Sequence, residues 1–263
     1  MSSATNGSRP AWLQGSVAKC STLPPAVDEP WRLVLLGPPG VGKGTQADLL
    51  QKRLGGCHLS TGDVFRAAAR DGCDPSPALA SALGSMHRGE LVPDSTVLEM
   101  VRERKECFHC RGGFLLDGFP RTLTQAESLG GMLAGERISL NAVVSYELPL
   151  DEIVERLGGR RTCEACKTVF HVTRNPSKHD GVCDRCGGRL FQREDDRPES
   201  IAVRMADYQR NTSPLKEYYT GFGLLVSVHA VGTPEEICER TVTTLQGRRE
   251  QRNNTLKDQS ISV

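Results

Sequence analysis

Between residues 31 and 245 short apolar blocks alternate with stretches of helical spacing. Residues 31–37 (WRLVLLG) form a nearly continuous apolar run closed by glycine, the pattern of a strand buried on both faces. Across 45–54, Ala47, Leu49, Leu50 and Leu54 recur at helical spacing, and Gly55 and Gly56 stop the run. The strand-like pattern returns at Gly113–Asp117 (GFLLD), 142–148 and 224–231. Helical patterns follow at 122–134, 150–157 and 234–245, the last opening with a proline and two glutamates. Such alternation predicts an α/β fold, a central parallel sheet with right-handed crossovers and helices on both faces. Ligands of such sheets bind beyond the carboxyl ends of the strands. Residues 158–196 break the rhythm with glycine pairs, four cysteines and many charges, which predicts an insert with its own organising principle.

Composition narrows the function classes. A 263-residue chain that is 38% hydrophobic and 25% charged has material for a sizeable core in one large domain or two modest ones. Its formal charge of +1 argues against nucleic-acid binding as the main task. No apolar run approaches the roughly 20 residues that cross a bilayer, so no membrane partner is expected. Residues 1–30, rich in Ser, Pro and Ala and lacking a secretory apolar stretch, are expected to be a disordered leader. The polar tail after Arg248 is expected to fray. Ten cysteines, several in Cys-x-x-Cys pairs and without a secretory signal, suggest a bound metal in a reduced cytoplasm.

The first strand runs into Gly37-Pro38-Pro39-Gly40-Val41-Gly42-Lys43-Gly44-Thr45, and the first helix follows. Glycines let backbone N–H groups turn inward around phosphate oxygens, where a Cβ would intrude. The helix N-terminus adds partial positive charge, and Lys43 adds a mobile cation. The general phosphate-loop pattern places Ser or Thr directly after the lysine; here Gly44 intervenes, which puts a hydroxyl contact to Mg²⁺ in doubt.

Cys163 and Cys166 form one Cys-x-x-Cys knuckle, and Cys183 and Cys186 form another 16 residues later. Four thiolates at this spacing make a closed tetrahedral shell for a structural Zn²⁺, with no open position for catalysis. The metal would fold a segment too small and polar to build a core. His171, His179 and Asp180 have no vacancy to fill. Cys107 and Cys110 form a third pair without a partner knuckle, and both are expected to be ordinary thiols, as are Cys20, Cys57, Cys73 and Cys238.

The glycine-rich loop is followed in order by LSTGDVFR (59–66), GELVPD (89–94), LDGFPRT (116–122), Gly159-Arg160-Arg161 and Asp195-Asp196. Over roughly residues 31–245 the chain therefore resembles the adenylate kinases, many of whose bacterial long forms carry a four-cysteine lid. The resemblance implies the P-loop nucleoside monophosphate kinase fold. Residues 31–60, 91–157 and 197–248 would form the core, 61–90 a mobile AMP-binding segment and 158–196 a zinc-binding lid hinged near Gly158 and Gly159. Residues 1–30 would be a leader and 249–263 a flexible tail.

The substrates implied are MgATP, AMP and ADP, handled by a cytoplasmic monomer. Gly37, Gly40, Gly42, Lys43, Gly44, Thr45, Arg156 and Arg160 would hold ATP. Thr61, Arg66, Arg121, Gln125, Arg193 and Arg204 would hold AMP, with Gln125 at the adenine edge. Lys43, Arg121, Arg156, Arg160, Arg193 and Arg204 would surround the transferring group, and Asp117 would lie near Mg²⁺. AMP's phosphate is already an anion, so its attack needs no general base; positioning and planar, permanently charged arginines suffice. Asp195 and Asp196 either orient lid arginines or form a solvated acidic turn. Two other readings stay open: a kinase for UMP, CMP or GMP on the same fold, and a zinc-ribbon module for nucleic acid.

Overall fold

The computed structural model describes Trp12 and residues 29–68 and 77–261. Most of the expected leader, with Cys20, and the stretch holding Cys73 lie outside the described residues. Five parallel strands form the central sheet: β1 (Trp31–Leu36), β2 (Cys57–Ser60), β3 (Gly113–Asp117), β4 (Ala142–Glu147) and β8 (Leu225–His229), in the order β2-β3-β1-β4-β8.

Alternate residues of each strand face opposite sides of the sheet. Leu33 and Leu35 of β1, Leu115 of β3, and Ala142, Val144 and Tyr146 of β4 share one buried cluster. They pack there with Ala47 and Leu50 of α1 (Lys43–Leu54) and with Ile237, Val242 and Leu245 of α9 (Pro234–Ile261). Val34, Leu36, Phe114, Leu116 and Val143 turn to the other face. That face is covered by α2 (Thr61–Ala68), α3 (Pro77–Arg88), α4 (Asp94–Arg102), α5 (Leu123–Gly135) and α8 (Leu215–Gly221). The two-sided burial explains why β1, β3 and β4 read as nearly continuous apolar runs.

Between α6 (Leu150–Gly158) and α7 (Pro198–Asp207), the insert folds as an antiparallel sheet of β5 (Arg160–Cys163), β6 (Val169–His171) and β7 (Leu190–Phe191). Its apolar interior is small: Phe170 and two buried cysteines, with Leu190 and Cys166 against them.

Three expectations change. The strand β2 was not legible as one, because its four residues include Cys57, His58 and Ser60. The last helix does not stop near Leu245 but continues to Ile261. Beyond the expected end, Arg249 stacks its guanidinium 3.4 Å from the Trp31 ring centroid and pairs with Glu29 at 3.3 Å. Finally, Cys57 and Cys110 are paired as a disulfide, so they are not ordinary thiols, while Cys107 takes no part in it. The pairing of β2 on β3 brings the start of β2 beside the turn that precedes β3, 6.7 Å between Cα atoms. The two positions are 53 residues apart in sequence, which hides the pairing from spacing alone.

Among the described residues no helix is long and apolar enough to cross a membrane. Replacing Arg249 with alanine is expected to lower the unfolding free energy by about 0.5–1 kcal/mol through loss of its stacking on Trp31. A urea midpoint unchanged from the parent would contradict that.

Candidate active site

The glycine-rich loop leaves the carboxyl end of β1 pressed against its neighbours. A Cβ at Gly37 would stand 2.7 Å from the Tyr146 carbonyl oxygen, and one at Gly40 would stand 2.6 Å from Leu157 Cγ. Both residues have positive φ, 138° and 80°, so glycine is required by space and by conformation. Gly42, also left-handed, precedes the first turn of α1, and no side chain caps that turn. The first backbone N–H groups of a helix have no intrahelical partners, and a helix start left uncapped at a glycine loop is the arrangement an anion site requires. Lys43 Nζ donates to the Gly37 and Pro38 carbonyls at 2.7 and 2.9 Å.

Cationic groups from four parts of the chain converge on this loop. Burial draws the Lys43 pKa from 10.5 down to about 7; Asp117 opposes the fall, and Arg121, Arg204 and Arg160 add to it. Arg160 reaches Asp196 with two hydrogen bonds, Nε to Oδ2 at 2.7 Å and a terminal nitrogen to Oδ1 at 2.5 Å. Arg204 donates to the Asp195 carbonyl at 2.7 Å and pairs with both the Asp195 and Asp196 carboxylates at 3.0 Å. Asp196 is fully buried, so this pair of aspartates orients arginines and is no solvated turn. Burial also lowers the Arg204 pKa, resisted by Asp195 and deepened by Arg160.

The other expected arginines have partners of their own. Arg156 donates to the Ala230 carbonyl at 2.9 Å, and Arg193 Nε donates to the Thr162 hydroxyl at 3.0 Å. Arg121 Nε donates to the Gly118 carbonyl at 2.9 Å. Position 66 lies on α2, but the Arg66 side chain is outside the described residues.

Asp117 ends β3 beside the loop. Burial acts to raise its pKa, yet the hydrogen bond from His58 at 3.3 Å and the charges of His58, Lys43 and Arg121 hold it below the usual carboxylate range. A Cβ at Gly44 would stand 3.6 Å from Asp117 Oδ2, so the missing side chain after Lys43 leaves room at the carboxylate. Thr45 sits exposed in the same first turn of α1. His58 is a residue that the sequence did not flag; its ring also reaches Asp48 at 3.1 Å and so bridges two carboxylates. Only the pairing of β2 with β3 reveals it.

On the neighbouring strand end, buried Thr61 donates its hydroxyl to the Asp117 carbonyl at 3.5 Å. Gln125 is almost completely buried. Its amide oxygen accepts from the Arg121 N–H at 2.8 Å, and its amide nitrogen donates to Asp94 at 2.7 Å. Asp94, which closes the GELVPD motif but had no role assigned from sequence, also accepts from the Thr122 hydroxyl at 2.8 Å, and that hydroxyl caps α5.

The insert gathers Cys163, Cys166, Cys183 and Cys186 so that all four sulfurs lie within 4.8 Å of one another. Two of the separations, Cys163 to Cys186 and Cys166 to Cys183, are 3.5 Å. A tetrahedral shell of thiolates at about 2.3 Å from Zn²⁺ has edges of about 3.8 Å, so the donor set and its size fit that ion. Burial opposes ionisation of Cys166, but hydrogen bonds with Thr168, Cys186 and Cys183 bring its pKa to about 6. Burial shifts Cys183 upward, and Cys186, despite a backbone hydrogen bond at Gly188, is raised by Cys166 and Cys163, so metal capture must displace protons from the set.

The description of the family model matched by residues 35–224 is adenylate kinase. Curated relatives named adenylate kinase include one from Carboxydothermus hydrogenoformans, 46% identical over 82% of this chain and 99% of its own. One from Acidothermus cellulolyticus is 47% identical over 82% of this chain and 98% of its own, and one from Citrifermentans bemidjiense is 50% identical over 78% and 94%.

Metal-free, reduced protein is expected to take up one Zn²⁺ per chain. Free Zn²⁺ at about 100 times its Kd should then add about 2.7 kcal/mol to the unfolding free energy of the insert. Cys166→Ser should weaken uptake and remove most of that gain, with the parallel-sheet core still folded. Equal stability with and without Zn²⁺ would contradict a structural metal.

Proposed function

The chain belongs to the adenylate kinase family, and from that premise we propose that it catalyses MgATP + AMP = 2 ADP by direct in-line transfer. An oxygen of the AMP phosphate attacks the γ-phosphorus of ATP. The bond from that phosphorus to the β–γ bridging oxygen breaks, and one ADP leaves as the other forms. Both reacting groups are anions, so the protein's work is to hold them in line and to offset their charge. The convergence of Lys43, Arg121, Arg160 and Arg204 on one loop supports this assignment above all.

In this reading Gly37, Gly40, Gly42, Gly44 and Thr45 cradle the ATP phosphates, and Lys43 exchanges its loop carbonyls for phosphate oxygens. Arg156 and Arg160 hold the ATP side. Thr61, Arg66, Arg121, Arg193 and Arg204 hold the AMP side. Bound Mg²⁺ would withdraw charge from the transferring group, and Asp117, kept anionic by its cationic neighbours, is the residue assigned to it.

Gln125 is assigned to adenine. A primary amide has two acceptor and two donor positions, and the contacts to Arg121 and Asp94 take one of each. One acceptor and one donor remain for a base edge. The segment 61–90 would close over AMP. The insert, stiffened by Zn²⁺ on Cys163, Cys166, Cys183 and Cys186, would close over ATP and keep water out. The protein is assigned to the cytoplasm as a monomer, with no nucleic-acid partner.

Purified protein with MgATP and, separately, AMP, GMP, CMP or UMP is expected to form diphosphate rapidly with AMP alone. Efficient transfer to another base would overturn the role of Gln125, and transfer to none would overturn the reaction. Lys43→Ala and Arg121→Ala should each cut kcat by about a hundredfold or more, with unchanged circular dichroism. Near-parental turnover in either would remove that residue from the site.

A further inference from the structure

Trp12 lies well before residue 35, where the family match begins, yet it is one of the most buried side chains of the protein, at 1% exposure. It shares a buried cluster with Val64 and Phe65 of α2, Ala82 of α3, Val101 of α4 and Phe108. Two hydrogen bonds fix it. Its indole N–H donates to the Ser60 carbonyl at 3.0 Å, and its own carbonyl accepts from Arg104 Nε at 2.7 Å. Arg104 is anchored in turn at the end of α4, donating to the Met100 carbonyl at 2.8 Å.

Ser60 stands at a sensitive point. It ends β2, and Thr61 follows as the first residue of α2. The Ser60 hydroxyl accepts from the Asp63 N–H at 3.3 Å, and the Thr61 hydroxyl reaches the Asp117 carbonyl. The junction between the sheet and the segment 61–90 is thus held from below by an indole that the family match does not include. An indole supplies large apolar area and one directed donor, which suits it to anchoring apolar packing and a backbone carbonyl together.

We infer that Trp12 is a positioning residue for the AMP half of the site, setting the resting orientation of α2 and α3. The inference rests on the proposed assignment of 61–90 to AMP. Without the indole donor, the Ser60 carbonyl is freed and the junction samples more orientations. The fraction competent to bind AMP falls, and apparent affinity falls in proportion. The ATP loop, at the end of β1, is unaffected.

The test compares the parent with Trp12→Phe, which keeps an aromatic filler but removes the N–H, and with Trp12→Ala. Trp12→Phe is expected to raise KM for AMP by about threefold to tenfold, the scale of one lost hydrogen bond, with KM for MgATP unchanged. Trp12→Ala should raise it further if it folds; Trp12→Phe decides if it does not. In a Trp31→Phe background Trp12 is the remaining tryptophan, and its emission should respond to AMP and not to ATP alone. Equal shifts in both KM values, or a lowered melting temperature with neither KM moved, would reduce Trp12 to a general anchor and overturn the inference. A parent protein that does not phosphorylate AMP at all would instead overturn the functional assignment beneath it.

Discussion

Like charges resist being gathered, and this protein gathers four cationic side chains around one glycine loop. At an effective dielectric near 20, two unit charges about 4 Å apart interact by about 4 kcal/mol, and the interaction fades only slowly with distance inside a protein. The lowered pKa of Lys43 records the cost of burial first and, beyond the opposing pull of Asp117, the repulsion of the three arginines. The protein tolerates it because the cations are tied down individually. Asp196, itself fully buried, takes Arg160 in a two-point grip and shares an oxygen with Arg204. Asp117 faces Lys43, and His58 holds Asp117 through Oδ2 at 3.3 Å. What remains uncompensated is a positive field at the carboxyl end of a rigid parallel sheet, the place where such sheets receive anionic ligands.

The rest of the architecture serves that placement. Lys43, Thr61 and Arg121 all lie just beyond the carboxyl ends of β1, β2 and β3, whose pairing sets these three chain segments side by side. Arg160 and Arg204 come from the insert and from α7, and neither is held by the sheet. Asp196, which the two arginines share, couples the root of the insert to α7, so any motion of the insert must carry or break those contacts. The four cysteines suit this role, since a metal would give a polar segment the internal order that its few apolar residues cannot.

Much of this was legible beforehand, and the reasons are specific. Glycines at 37, 40 and 42 next to Lys43 announce a phosphate loop because the geometry admits little else, and a closed thiolate set announces itself through the repeat of Cys-x-x-Cys. The strands β1, β3 and β4 were visible because burial on both faces leaves nearly unbroken apolar runs, and β8 because its apolar residues alternate with exposed Ser227 and His229. Hidden features share a different property: they depend on partners distant in sequence. His58 acquires meaning only when β2 pairs with β3, Asp94 only when α4 meets α5, and Cys57 only when the sheet places it beside Cys110. Trp12 looked like part of a featureless leader because a lone aromatic has no period. The extension of the last helix past Leu245 escaped notice because its polar sequence lacks an apolar stripe; its visible purchase on the body is Arg248 and Arg249.

Proton uptake on nucleotide binding tests the central claim, that the loop's cations are frustrated until phosphate arrives. Burial draws the Lys43 pKa down to about 7, so its charge is partly given up in the free protein at pH 8. Phosphate beside it favours the charged form and raises that pKa, so binding must draw a proton from solution, and the uptake must shrink as pH falls below 7. Titration calorimetry with ATP at pH 8, in two buffers of different ionisation enthalpy, measures it directly. The account predicts net proton uptake at pH 8, lost in Lys43→Met. Proton release, or uptake that survives in Lys43→Met, would contradict it.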